Sequence, residues 1–122
     1  MVTCYLVRTQ DRCVLVDTGC GSAALAFPSF IGVGGALRTG LAAIDVSPQD
    51  IDTVIITHIH PDHVGGVLAP EAPEPAPAFP RARYLVPRID WETWRRPEVQ
   101  EAFPVQYVGD TIGPLVDSGV VD

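Results

Sequence analysis

The stretch that decides the fold is TVIITHIHPDHVGG, residues 53–66, in which a β-branched apolar run leads into a cluster of ligand-type side chains. All three histidines of the chain lie there, His58, His60 and His63, with Asp62 just before the last. In extended chain, side chains alternate between two faces, so His58 and His60 point the same way. A turn can then aim Asp62 and His63 at a neighbouring point. The spacing predicts two pairs of metal ligands rather than one tetrahedral set.

The chemistry of these side chains favours a metal site over a plain polar turn. Imidazole nitrogen and carboxylate oxygen both bind Zn²⁺ at about 2.0–2.2 Å. Two such ions roughly 3.5–4 Å apart share a water, lower its pKa and polarise a substrate oxygen. The alternative is a solvated turn, or histidines that pack and hydrogen-bond near the end of a strand. That alternative explains any one histidine well, but it explains the whole cluster poorly.

Composition narrows the class of protein. The chain has 122 residues, enough for one domain with one core, and its 47 % of apolar residues is ordinary for a globular protein. Its net charge of −7 repels phosphate backbones, which argues against nucleic acid as a partner. No apolar run is long enough for a membrane span, and the start, MVTCYLVRTQDR, lacks the apolar centre of a secretion signal. We therefore expect a cytoplasmic protein with no nucleic-acid or membrane partner.

Cysteine is scarce and does not form a disulfide framework. The chain has Cys4, Cys13 and Cys20, an odd number without a C-x-x-C pair. We interpret them as small buried side chains in strands. The alternative is that one of them is a thiolate metal ligand.

The N-terminal pattern predicts a β-hairpin. TCYLVRT and RCVLVDTG are rich in Val, Leu, Tyr and Cys, and the polar residues between them mark a turn. If the turn centres on Gln10 and Asp11, Leu6 faces Leu15 and Val7 faces Val14. Apolar pairs on both faces of the ribbon suggest a sheet that is covered on both sides.

The rest of the chain predicts helices alternating with strands, and therefore a layered α/β or an α+β domain. The Trp91–Trp94 spacing is more typical of core packing than of ligand contact. The predicted elements are a loop at 21–36 that could line a pocket, a helix around 36–45, a helical turn after an N-cap at Ser47, a strand at 52–57, a short helix between Gly66 and Pro70, a polar extended surface loop at 69–80, a strand at 82–87, a helix at 88–96 with Asp90 as a possible N-cap, and a last helix followed by the start of a strand.

These residues resemble a known family. THIHPDHVGG matches the H-x-H-x-D-H signature of the metallo-β-lactamase superfamily, and VLVDTG resembles the strand and turn that carry an aspartate near the metals there. SPQDIDTVIITHIHPDHVGG, followed by FPRARYLVPRIDWETW, looks most like the branch of acyl-homoserine lactonases and methyl parathion hydrolases. The resemblance spans nearly the whole chain. It implies an α+β fold, the four-layer αββα sandwich of two similar halves, with residues 1–122 as a single domain that corresponds to the N-terminal half and is truncated at the C-terminus.

The resemblance also implies roles for individual residues. His58 and His60 would bind a first metal, and Asp62 and His63 a second; Zn²⁺ is expected, and Mn²⁺, Fe²⁺ or Co²⁺ are possible. Asp62 would also be catalytic, orienting a metal-bound hydroxide or taking its proton. Asp17 would lie behind the ligands and hold their geometry by hydrogen bonds, although an aspartate here could also simply form the turn. The implied activity is hydrolysis of an ester-like bond, with a lactone as the first guess; β-lactams and thioesters stay open.

One feature departs from the family. The superfamily takes later ligands, two histidines and a bridging aspartate, whereas this chain has no histidine after His63. We therefore expect a fragment of a longer hydrolase, with loose metal binding and little turnover by the chain alone. A half-sandwich would also leave one apolar sheet face open, so the isolated chain should aggregate or form a homodimer. The alternative function is a non-catalytic half-domain that binds metal weakly or pairs with another chain.

Overall fold

A four-stranded mixed sheet forms the centre of the protein. The structure, a computed structural model, describes residues 2–21, 35–103 and 106–122. The strands follow the order β1-β2-β3-β4, with β1 antiparallel to β2 and the other neighbours parallel. Mixed sheet plus helices is the predicted α+β class. The elements are β1 Tyr5–Arg8, β2 Cys13–Val16, α1 Leu37–Ala43, a 3₁₀ turn Pro48–Asp50, β3 Thr53–Ile55, α2 Pro61–Val64, β4 Arg83–Leu85, α3 Arg88–Trp94, α4 Pro97–Ala102 and α5 Tyr107–Asp117.

The predicted hairpin and its register are confirmed. Leu6 pairs with Leu15 and Val7 with Val14. The parallel pairing of β2 with β3 requires a crossover connection, because the chain must return to the same end of the sheet. Helix α1 and the 3₁₀ turn lie in that connection, close to where they were predicted.

The two faces of the sheet differ in burial. Leu15, Val54 and Tyr84 lie side by side on one face of β2, β3 and β4, and none is more than 1 % exposed. On the other face Tyr5 and Leu85 are 63 % and 40 % exposed. The expectation of a sheet covered on both sides is therefore wrong for the described chain, because apolar pairing in a hairpin does not tell what covers each face. The open face agrees with the expectation for half of a sandwich.

Two helix predictions are wrong. The short helix expected between Gly66 and Pro70 is not there, since these residues form turns and an isolated bridge; the short helix of this region is α2, which begins at Pro61, contains the end of the histidine motif and has Gly65 as its C-cap. A proline at the first helical position and an aspartate in the first turn both favour this earlier start. Asp90 is not an N-cap but lies in the first turn of α3, whose N-cap is Pro87.

The proline-rich segment is only partly a surface loop. Ala78 and Phe79 near its end are buried, with Phe79 1 % exposed. The Ala78 N–H donates to the Val67 carbonyl, and the Phe79 N–H donates to the Tyr84 hydroxyl oxygen. These bonds bring the end of the segment into the core. The prolines before it are typical of a surface loop and gave no sign of this burial.

Smaller predictions are also decided by the structure. Asp50 accepts hydrogen bonds from both the N–H and the hydroxyl of Ser47, as expected for a capped turn. The two tryptophans are partly buried against the core, as predicted. The new strand at the C-terminus begins as a bridge from Tyr84 to Val121. All three cysteines are free and partly buried, but only Cys13 lies in a strand.

Two further predictions concern the loop at 21–36 and membrane spans. Most of the predicted pocket-lining loop, residues 22–34, lies outside the described residues. Within the described ranges, no helix is both long and apolar enough to cross a membrane. The cytoplasmic location stays a prediction from the sequence.

Candidate metal centre

The first histidine pair follows directly from the end of β3. The chain bends at Thr57 and His58 after the strand, and the His60 N–H donates to the His58 carbonyl at 3.1 Å; Ile59 is buried while the histidines on either side of it are more exposed. This alternation places His58 and His60 on one side of the backbone, as predicted. Their ring centroids lie 4.7 Å apart, with the ring planes at 88°. The buried isoleucine thus turns the two imidazoles outward together.

Helix α2 brings the second pair to the first. The His63 ring centroid lies 3.9 Å from that of His58. Oδ2 of Asp62 lies 3.5 Å from Nε2 of His63. The side chains of His58, His60, Asp62 and His63 therefore share one region of the surface, which is the arrangement that the motif predicts.

Asp17 lies beneath this cluster, at the end of β2. Its carboxylate is 7 % exposed and lies 2.8 Å from Nδ1 of His63. It also accepts hydrogen bonds from the N–H and the hydroxyl of Thr57, the residue before the histidines, each at 2.8 Å. The backbone of Asp17 has φ 59°, in the left-handed region that aspartate tolerates better than most residues. Asp17 thus connects β2 to both ends of the histidine motif.

The contact between Asp17 and His63 fixes which ring nitrogen is available to a cation. An ionised carboxylate only accepts hydrogen bonds, so Nδ1 carries the proton of a neutral His63 ring. Its lone pair is then on Nε2, the nitrogen beside Asp62. Two donors bound tetrahedrally at about 2.1 Å from one ion lie about 3.4 Å apart. The observed 3.5 Å between Nε2 and the Asp62 oxygen fits a shared divalent cation.

The described residues offer ligand pairs and no complete ligand set. Among the side chains that the structure describes, no group of three or more histidines, cysteines, aspartates or glutamates could hold one metal ion. The cysteines contribute no ligand group in the described ranges.

Close backbone contacts hold α2 against the turn after β2. The N–H and the hydroxyl of Thr18 both donate to the His63 carbonyl at 2.8 Å, and the hydroxyl oxygen accepts from the Gly66 N–H. A Cβ on Gly66 would lie 2.4 Å from the Thr18 carbonyl oxygen, and one on Gly65 would lie 2.3 Å from the Cys20 backbone. The paired glycines are therefore needed for the close approach of the two backbones, which the sequence did not predict.

Two residues from later in the chain also reach the motif, and the sequence did not identify them in this role. Oδ2 of Asp90 accepts a hydrogen bond from the Ile59 N–H at 3.0 Å. The Tyr107 hydroxyl donates to the Ile59 carbonyl at 3.1 Å. Burial, together with the nearby carboxylates of Asp62 and Asp90, raises the pKa of Tyr107 to about 12, so this hydroxyl keeps its proton. Asp90 stands in the quoted RIDWETW stretch, but Tyr107 carries no sequence signal.

Comparison with known proteins identifies the family of the chain. The sequence profile of the metallo-beta-lactamase superfamily matches residues 1–121. The chain belongs to this superfamily. Its fold is that of the N-terminal part of the metallo-β-lactamase domain, as the resemblance implied.

Two curated relatives are hydrolases. The chain is 33 % identical to the N-acyl homoserine lactonase AiiB of Rhizobium rhizogenes, over 54 % of this chain and 28 % of the relative. It is also 33 % identical to the hydroxyacylglutathione hydrolase of Aeromonas hydrophila, over 70 % of this chain and 26 % of the relative. The chain therefore spans less than a third of the length of either relative.

Solved structures of the superfamily are also similar. The hydrolase AbOPH of the beta lactamase superfamily superposes with a TM-score of 0.76 at 25 % identity, covering 97 % of this chain and 40 % of that one. The dizinc quorum-quenching lactonase AidC, in complex with a product, gives a TM-score of 0.69 at 25 % identity, covering 96 % of this chain and 40 % of that one. Nearly the whole of this chain thus matches a part of longer hydrolases.

Proposed function

We propose that this chain forms the metal-binding half of a metal-dependent hydrolase that cleaves an ester-like bond in a small molecule, with a lactone as the favoured substrate. The observation that carries the proposal is the contact of Asp17 with Nδ1 of His63, which leaves Nε2 facing Asp62 at 3.5 Å. A carboxylate behind a histidine is the usual support for a metal ligand. A solvated polar turn does not require it.

The donor chemistry assigns the residues to two cations. His58 and His60 would hold one, and Asp62 with Nε2 of His63 would hold a second; Zn²⁺ is the first choice because imidazole and carboxylate both suit it. When bound, such cations lower the pKa of a water and polarise the oxygen of the scissile group. Asp17 would keep the proton on Nδ1 of His63, and Asp62 would orient the attacking water or take its proton.

Support for the substrate class comes from the relatives. The lactonase relative and the lactonase structure favour a lactone. The hydroxyacylglutathione hydrolase covers more of this chain, and it favours a thioester of glutathione as the second candidate. Both are acyl transfers to water, so the same paired donors would serve either one.

The test is a hydrolysis assay on the purified chain with added Zn²⁺ or Mn²⁺. The substrates are an N-acyl homoserine lactone, an aryl ester and an S-acyl glutathione thioester, and the control is His60→Ala. We expect slow lactone hydrolysis that requires metal and is lost in His60→Ala. Rates that equal those of the control would contradict the hydrolase. If metal still binds in that case, the non-catalytic half-domain is the better account.

The exposed sheet face supports one further expectation for the isolated chain. Tyr5 and Val7 are 63 % and 48 % exposed on the open face of the sheet. We expect this apolar face to drive self-association, with a homodimer as the smallest product. Sizing by light scattering at several concentrations measures it, and a monomer at every concentration would contradict it.

A further inference from the structure

Ile59, between the two histidines of the first pair, has an unusual set of contacts. It lies in neither a strand nor a helix, yet its side chain is 1 % exposed. Buried backbone groups outside regular structure need partners from elsewhere in the fold. Both polar groups of Ile59 find such partners, since its N–H donates to Asp90 and its carbonyl accepts from Tyr107.

These partners come from distant parts of the chain. Asp90 is 31 residues and Tyr107 48 residues further along than Ile59, on helices α3 and α5. Trp94 links the same two helices to the motif, because its ring lies 6.0 Å from that of His60 and 6.1 Å from that of Tyr107. One short segment of the motif is thus held by two helices that carry none of its predicted ligands.

We propose that Asp90 and Tyr107 are positioning residues that clamp the Ile59 backbone and thereby hold His58 and His60 side by side for a divalent cation. The two imidazoles are attached on either side of Ile59, so a rotation of its peptide groups would swing both rings. While the clamp holds both imidazole rings in place, binding of the cation costs less conformational entropy. This inference rests on the proposed function, since it concerns the same site.

The experiment compares metal affinity in matched variants of the whole chain. Co²⁺ is titrated and followed by its visible absorption in wild type, Asp90→Ala, Asp90→Asn, Tyr107→Phe and Glu92→Ala. The last variant removes an exposed carboxylate from the same helix and is the control. We expect Asp90→Ala to weaken Co²⁺ binding about tenfold, Tyr107→Phe to weaken it less, and Glu92→Ala to leave it unchanged.

Asp90→Asn separates the clamp from a simple effect of charge. The asparagine side-chain oxygen can still accept from the Ile59 N–H, although the negative charge is gone. We expect near wild-type affinity in this variant. If Asp90→Asn falls as far as Asp90→Ala, or if Asp90→Ala binds as tightly as wild type, the clamp is overturned.

Amide hydrogen exchange of the metal-free protein gives a readout that is independent of the cation. The Ile59 amide should be protected in wild type and in Asp90→Asn, and it should exchange faster in Asp90→Ala at unchanged protection of the β3 amides. If wild type binds no Co²⁺, the proposed function fails, and the clamp is decided by this measurement. Equal Ile59 exchange in wild type and Asp90→Ala then overturns the clamp.

Discussion

The carboxylates of Asp17 and Asp90 both accept hydrogen bonds from the histidine motif, but from different groups in it. Asp17 is 5 % exposed and accepts from three donors, one of which is the ring of His63. Asp90 is half-buried and, within the described ranges, its carboxylate accepts a hydrogen bond from one backbone N–H. The first therefore sets the tautomer of His63, whereas the second sets only the path of the backbone at Ile59. Loss of Asp17 should change which ring nitrogen of His63 carries the proton. Loss of Asp90 should change only how well His58 and His60 are oriented.

The largest effect is expected for Asp17→Ala. The change leaves three donors without their acceptor and puts alanine at a left-handed backbone position. We expect the free energy of unfolding to fall by about 3 kcal/mol, since each buried unsatisfied group costs about 1–3 kcal/mol. Urea denaturation measures this loss. A loss of less than about 1 kcal/mol would mean that Asp17 supports little of the motif.

Asp17→Asn should separate stability from metal affinity. Asparagine tolerates the left-handed backbone and still accepts from Thr57, but its amide N–H can meet Nδ1 of His63 as a donor. That contact favours the tautomer with the proton on Nε2, where a cation would bind. We expect a small loss of stability together with a 10- to 100-fold loss of Co²⁺ affinity, about the range for such supporting residues. Unchanged affinity would show that the tautomer does not matter.

Gly66→Ala tests the packing on the Asp17 side of the motif. The added Cβ would lie 2.4 Å from the Thr18 carbonyl oxygen, so the backbone must move. We expect the free energy of unfolding to fall by about 2 kcal/mol. The matched control is Gly109→Ala in α5, where a Cβ has no heavy atom within 4 Å, and it should raise stability by about 0.5–1 kcal/mol. Equal effects of the two substitutions in thermal denaturation would contradict the close approach.

Tyr107→Phe is expected to reduce stability less than Gly66→Ala does. It removes only the hydroxyl that donates to Ile59, at a cost of about 1 kcal/mol. The pKa of Tyr107 is raised to about 12, above the value of about 10 in an unfolded chain. The stabilisation is therefore complete below about pH 10 and is lost as the pH rises towards 12. Urea denaturation across this range measures it, and a wild-type advantage that persists at pH 12 would be contrary to this account.

The histidine motif could be predicted from the sequence because its geometry is local. Burial of Ile59 between them turns His58 and His60 to the same side, and a turn beginning at Pro61 brings Asp62 and His63 to them. The hairpin register was predictable for the same reason, since pairing across a short turn is set by neighbouring residues.

The supports of the motif could not be predicted, because they depend on contacts between distant segments. Asp90 has the local pattern of a helix start, and only the tertiary fold shows that its carboxylate accepts from Ile59. The need for Gly66 arises from the approach of Thr18, which is 48 residues away. Nor could the exposure of Tyr5 be predicted, because an apolar strand pattern does not identify what covers each face.

The most direct test of the central claim is a Zn²⁺ titration followed by the imidazole ¹⁵N resonances. All three histidines of the chain belong to the motif, so no other imidazole contributes a signal. We predict that His58, His60 and His63 all respond to Zn²⁺, and that His63 keeps its proton on Nδ1 while Nε2 shifts. Histidine resonances that stay unchanged as Zn²⁺ is added, or a His63 ring protonated on Nε2, would contradict the account.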